Sequence, residues 1–240
     1  MWRRMRVVIL GDSVTAGFGL GAGQAELAYP RLLAEKLQQA RLAVDVVVSA
    51  LDGIDTAYAL RRFGRLVAQY RPHWVVMMLG LNDARPAGGK PAAGARTFGD
   101  NVEALVERIE AIDSRAVLVS PNPRQSPAAG AEQAGGDLMQ SYVGALGQVA
   151  SDRRLPWIDL HRQFLAERNL EELIPDGVHP SVAGHRLIAE VLAEELIWLL
   201  AQEPSATGQR AAARLAESAH AEAGRAATGQ PNGFPGASRR

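Results

Sequence analysis

Four short stretches of this 240-residue chain carry groups suited to acyl transfer. Ser13 stands in Gly11-Asp12-Ser13, directly after the apolar run Met5-Arg6-Val7-Val8-Ile9-Leu10. Gly53 follows Asp52, Asn82 stands in Gly80-Leu81-Asn82-Asp83, and His179 stands in Asp176-Gly177-Val178-His179-Pro180. Ester hydrolysis by a serine needs a hydroxyl, a base, a group that orients the base, and donors for the oxyanion. Ser13 supplies the hydroxyl and His179 the base. Asp176 lies three residues before His179, a spacing at which a turn lets its carboxylate hold one imidazole tautomer. The backbone N–H of Gly53 has no side chain to obstruct it, and the amide of Asn82 can donate. Taken singly, each residue has a plainer explanation as a turn or a cap. Taken together, all four fall just past a strand or just before a helix.

The elements that must position them follow from periodicity. Continuous apolar runs predict five strands buried on both faces: Met5–Leu10, Val44–Ser49, Trp74–Leu79, Ala116–Ser120 and Pro156–Leu160. Between them lie amphipathic stretches. One begins at Tyr29-Pro30, with Leu32, Leu33, Leu37 and Ala40 on one face. A second carries Ala57, Leu60, Phe63, Val67 and Tyr70 and ends at Pro72. A third starts at an N-cap Thr97 and carries Phe98, Val102, Leu105, Ile109 and Ile112. A fourth covers roughly 138–151 and a last one 181–201. Two loose loops, Ala84–Arg96 and Pro121–Gly136, contain no Leu, Ile, Val, Met, Phe, Trp or Tyr. Strands alternating with helices predict an α/β fold, a three-layer α/β/α sandwich on a five-stranded parallel sheet. The spacing fits a flavodoxin-like order. Ser13 then sits beyond the carboxyl end of the first strand, where ligands bind in open α/β sheets.

Composition sets bounds. Lys+Arg and Asp+Glu both number 26, which points to neither a nucleic-acid surface nor a polybasic membrane anchor. The absence of cysteine excludes disulfides, thiolate metal sites and a cysteine nucleophile. Met1-Trp2-Arg3-Arg4 resembles the start of a signal peptide, but the apolar run behind it is too short and reads as strand one. No segment approaches a membrane span, so the expectation is a cytoplasmic protein. From Glu203 the chain turns to Ala, Gly, Pro, Ser and Arg, so residues 1–202 are expected to form the folded domain and 203–240 a disordered tail.

Gly11-Asp12-Ser13, Asp52-Gly53, Gly80-Leu81-Asn82-Asp83 and Asp176-Gly177-Val178-His179 together resemble the four blocks of the SGNH, or GDSL-type, hydrolases. The resemblance spans about residues 5–201. It implies Ser13 as nucleophile, His179 as base and Asp176 as its partner. It also implies an oxyanion hole from Ser13 N–H, Gly53 N–H and the Asn82 side chain, with no cofactor and no metal. The start, Gly11 to Leu20, is similar to the bacterial arylesterase/thioesterase/lysophospholipase branch. Gly53-Ile54-Asp55-Thr56 departs from that branch's Gly-Asp-Thr, and Leu81 stands where that branch usually shows Gly. The half after Ser120 looks more like members acting on small acyl esters. A small acyl ester is therefore the expected substrate, with a thioesterase/lysophospholipase as the alternative.

Other readings compete. Gly17-Phe18-Gly19-Leu20-Gly21-Ala22 fits a dinucleotide-binding pattern, but it starts seven residues past Leu10 instead of opening a helix. A non-catalytic binding module on this fold would be expected to lack the serine or the histidine. His73, His161, His185 and His220 show no ligand spacing. His161 is expected at a surface or as a loop anchor, His185 half-exposed, and Arg85 solvated. Phe18, Leu20, Leu51 and Ile54 are expected to line a small pocket near Ser13.

Overall fold

The computed structural model describes residues 4–87, 90–91, 93–124 and 132–202. In chain order the elements are β1 (Met5–Gly11), α1 (Ser13–Ala16), α2 (Tyr29–Gln39), β2 (Val44–Ala50), α3 (Thr56–Arg61), α4 (Phe63–Leu66) and β3 (Trp74–Met78). A hairpin, β4 (Pro86–Ala87) and β5 (Lys90–Pro91), leads to α5 (Ala95–Glu110) and β6 (Arg115–Val119). Then come α6 (Glu132–Arg153), β7 (Trp157–Ile158), α7 (Leu160–Ala166), α8 (Leu170–Leu173) and α9 (Val182–Ala201). Among the described residues, 4–198 cluster as one compact unit, and 199–202, the end of α9 and the residue after it, fall in another.

The five expected strands form one parallel sheet in the order β2-β1-β3-β6-β7, the flavodoxin-like arrangement. The apolar runs explain which strands are central. Val7, Val8, Ile9 and Leu10 of β1 have zero exposure, and all of β3 is buried. β2 carries Asp45 and stays half-exposed at the sheet edge. Each large side chain packed this way contributes roughly 1.5–3 kcal/mol of transfer free energy. Phe98 and Tyr142 join α5 to α6, their rings 5.2 Å apart.

Several expectations are corrected. The second helix is broken into α3, α4 and a 3-10 turn at Ala68–Tyr70, because Arg62 and Val67 leave helical geometry and Gly64 lowers helix propensity. Its buried face is Thr56, Ala59, Phe63, Leu66 and Val67, with Ala57, Leu60 and Tyr70 half-buried. Ala40 is exposed just past α2. Thr97 is not an N-cap. Gly94 in extended geometry fills that place, so Thr97 lies inside the first turn of α5. The loop at 84–96 contains the β4–β5 hairpin, and α6 starts at Glu132, inside the second expected loop. The fifth strand is only two residues long because Asp159 caps α7 by accepting the Arg162 N–H. Helices α1, α7 and α8 had no sequence signal long enough to read. The tail at 203–240 lies outside the described residues.

Gly11 closes β1 where only hydrogen fits. A Cβ there would collide with the side chain of Thr15, whose hydroxyl is 2.8 Å from the Tyr29 hydroxyl. Gly64, by contrast, faces open space in α4. Gly11→Ala is expected to lower unfolding free energy by about 1–3 kcal/mol, the scale of overpacking. Gly64→Ala is expected to raise it by about 0.5–1 kcal/mol. Urea unfolding of both variants checks the opposite signs.

Candidate active site

The site is assembled at the carboxyl edge of the sheet. Ser13 is the first residue of α1, held there by Asp12, whose Oδ1 accepts the Val14 N–H at 3.0 Å. Ser13 Oγ lies 3.2 Å from His179 Nε2, across 166 residues of sequence. His179 Nδ1 lies 2.7 Å from Asp176 Oδ2. Asp176 Oδ1 also accepts the N–H groups of Val178 at 2.8 Å and His179 at 2.6 Å, so the turn is closed on one carboxylate. Burial works to raise the Asp176 carboxyl. The donors from His179 and Val178 outweigh it and hold the group below the usual carboxylate range, in the form that keeps the imidazole oriented.

Asn82 is brought beside this line. Its Nδ2 donates to Asp12 Oδ2 at 3.2 Å and to the Ile54 carbonyl at 3.0 Å. Gly53, one residue before Ile54, has φ 74°, a left-handed value that glycine adopts without strain. It helps wall a cleft of about 550 Å³ together with Ala16, Leu51, Asp52, Ile54 and Tyr58. Leu51 and Ile54 thus line a cleft, of whose wall Ser13 is not a part. Phe18 and Leu20 are not in its wall; Phe18 lies against His179 instead, ring centroids 4.6 Å apart. A second cleft of about 610 Å³ runs along β2 and α2 past Arg31, Glu35 and Asp45, and none of the residues above line it.

Behind Asn82, Asp83 has zero exposure. Both its oxygens accept the Thr56 N–H at 3.2 Å, and Oδ1 accepts the Thr56 hydroxyl at 2.5 Å. This ties the end of β3 to the start of α3. Burial pushes the Asp83 carboxyl up. Asn122, fully buried after β6, donates from Nδ2 to the Val178 carbonyl at 2.9 Å and so anchors the histidine turn to the sheet. No sequence pattern marks Asn122 or Phe18 for these places, because their partners are distant in the chain.

Two histidine expectations change. His185 is not half-exposed: it has zero exposure, and its Nδ1 accepts the Tyr29 N–H at 3.2 Å. Burial depresses it to about 4. His161 is buried instead of lying at the surface. It anchors a loop through its own N–H, which donates to Ser120 Oγ at 2.8 Å. Arg85 is exposed as expected. Among the described residues no group of three or more His, Asp or Glu could hold a metal ion, and no helix is long and apolar enough to cross a membrane.

Residues 9–187 match the model of the GDSL-like lipase/acylhydrolase family. The chain belongs to that family. It is therefore a hydrolase of ester bonds. It is 26% identical over 192 residues to an arylesterase of Vibrio mimicus, covering 80% of this chain and 88% of that protein. It is equally 26% identical over 192 residues to thioesterase 1/protease 1/lysophospholipase L1 of Escherichia coli K12, covering 79% and 82%. A solved catalytic mutant of an acetylxylan esterase from Geobacillus stearothermophilus superposes with a TM-score of 0.65 at 20% identity, over 81% of this chain and 96% of that one. The shared architecture is the five-stranded parallel sheet with flanking helices.

Two buried groups of this GDSL-family site give opposite pH dependences. Burial raises Asp12 from 3.8 to about 6, so the folded protein holds a proton that the unfolded chain has lost between those values. That contribution is present at low pH and is lost as pH rises through about 6. His185 runs the other way. Its folded value of about 4 lies below the ordinary 6.5, so the unfolded chain takes up a proton first and stability is lost as pH falls from 6.5 towards 4. Each is worth about 3 kcal/mol at about 1.4 kcal/mol per pH unit, so the two nearly offset in the wild type. Replacing His185→Gln is expected to unmask Asp12. Relative to wild type, its unfolding free energy should gain about 3 kcal/mol between pH 6.5 and 4. A difference that stays constant across that window would mean the folded protein protonates His185 freely.

Proposed function

We propose that this chain hydrolyses small carboxylic acyl esters through an acyl-enzyme formed on Ser13. The observation that carries the reading is the continuous line from Ser13 Oγ to His179 Nε2, and from His179 Nδ1 to Asp176 Oδ2. Ser13 Oγ attacks the carbonyl carbon while its proton passes to His179 Nε2. The carbonyl oxygen takes the charge, facing the N–H groups of Ser13 and Gly53 and the amide of Asn82. Collapse breaks the bond to the alcohol oxygen, which leaves with the proton from Nε2. Water, deprotonated by the same nitrogen, then attacks the acyl-enzyme, releasing the acid and returning the proton to Ser13.

Asn82 has a constraint of its own in this scheme. Both its N–H bonds are already engaged, by Asp12 and by Ile54. It therefore donates to the oxyanion through a shared bond, which strengthens as charge develops. Such an interaction is worth most in the transition state. Asn82→Ala is expected to lower kcat by about 10²–10³ with little change in KM. A fluorophosphonate should add once to the wild type and not to Ser13→Ala. An adduct that persists in Ser13→Ala places the nucleophile elsewhere.

The acyl group is assigned to the cleft beside Gly53. Leu51, Ile54 and Tyr58 supply its larger apolar and aromatic walls. Each methylene buried there gains about 0.8 kcal/mol, and the gain stops where the wall stops. The loops at 84–96 and 121–136 offer no large apolar side chain to extend it. Along a series of p-nitrophenyl esters, kcat/KM is expected to peak between acetyl and butyryl. A steady rise to dodecanoyl would instead support the second reading, the thioesterase/lysophospholipase activity named for the Escherichia coli relative.

A further inference from the structure

Phe18 is a large apolar side chain left 52% exposed beside the site. Its backbone is held firmly. Gly17 caps α1 at φ 83°, the Phe18 N–H donates to the Ser13 carbonyl at 2.9 Å, and Gly19 follows at φ 91°. The two glycines turn the chain so that the Phe18 ring meets the His179 ring at 4.6 Å, tilted by 48°. Gly19 itself passes so close that an added Cβ would stand 3.1 Å from His179 Cβ. Part of this loop is the stretch whose glycine spacing resembles a dinucleotide motif. Here one of those glycines, Gly19, serves close approach to His179.

The direction of proton transfer gives the exposed part of that ring a use. His179 Nε2 hands its proton to the departing oxygen, so the alcohol of the ester must lie within hydrogen-bond reach of Nε2. In the reading above the acyl group takes the cleft walled by Gly53 and Tyr58, which Phe18 does not line. The alcohol is thus the part of the substrate that meets the half-exposed phenyl ring. An apolar alcohol buries against it; an aromatic one also gains ring–ring contact. Resting on the reading of Ser13 and His179 as nucleophile and base, we propose that Phe18 walls the alcohol side and selects esters whose alcohol carries a flat apolar group.

The test compares two acetates of similar leaving-group acidity, benzyl acetate and 2-methoxyethyl acetate. In the wild type, kcat/KM is expected to favour benzyl acetate by about fivefold or more, the scale of one aromatic contact. Phe18→Ala should lose about tenfold on benzyl acetate and about twofold on the polar ester, bringing the ratio near one. Phe18→Tyr should keep the preference. Equal losses on both esters would overturn the inference and leave Phe18 as a support for His179 alone; so would a wild type with no benzyl preference. Fluorophosphonate labelling separates this from the underlying mechanism. An adduct on Ser13 without benzyl preference sinks the alcohol-side assignment only. No adduct on Ser13 in the wild type sinks the acyl-enzyme reading and this inference with it.

Discussion

Asp12 is 1% exposed at the point where β1 gives way to α1, and each of its oxygens is committed. Oδ1 caps α1 through Val14, which fixes where Ser13 starts its helix. Oδ2 accepts from Asn82, which fixes the amide that closes the end of β3. One buried carboxylate therefore sets the spacing between the two central strands' loops. It also sets a penalty. A charge taken out of water is costly, and burial raises this group to about 6. The hydrogen bonds from Val14 and Asn82 and the nearby His179 offset part of that cost, and the proton it binds below about 6 relieves the rest.

The same logic governs the layer behind it. Asp83 spends its carboxylate on Thr56, and Asn101 Nδ2 donates to the Thr56 hydroxyl at 3.0 Å, so β3, α3 and α5 share one network. Tyr29 joins α1 to α9, with its hydroxyl near Thr15 and its N–H on His185. Most of these groups are buried, so deleting one partner leaves another unsatisfied, at roughly 1–3 kcal/mol each. The loops at the carboxyl edge are rigid by hydrogen bonding as well as by packing.

The architecture was legible where one physical signal dominated. Val7 to Leu10 and Trp74 to Met78 are unbroken apolar runs, and only a strand buried on both faces wants them. Ser13, Asp176 and His179 were legible because each stands at a strand end or a helix start, positions that a parallel sheet gathers on one edge. The second helix was not, because the deviation at Arg62 is too local for an apolar stripe to register. His185 was misjudged for a related reason. A polar residue near a helix start reads as solvated, and the Tyr29 N–H that lets it be buried lies 156 residues away. Asn122 carries no motif, and Phe18 stands in a glycine pattern that does not point to His179, so only the folded chain shows what they touch.

The histidine turn shows why such unmarked residues matter. Asp176 closes that turn with its own neighbours, so the turn could form almost anywhere on a protein surface. Its internal bonds orient the imidazole but say nothing of where Ser13 lies. That distance is set from outside. Asn122 holds the Val178 carbonyl, and Ser181 ties the start of α9 to α8 through its N–H on the Leu173 carbonyl at 2.8 Å and its hydroxyl on the Glu172 carbonyl at 2.7 Å. Phe18 and Gly19 close on the imidazole from the α1 side. Asn122 accepts a cost for this role: among the described residues its buried Oδ1 has no hydrogen-bond partner. An apolar residue of similar size would avoid that cost but could not donate to Val178. Retaining the amide trades a little folding stability for a fixed place of the His179 ring relative to Ser13.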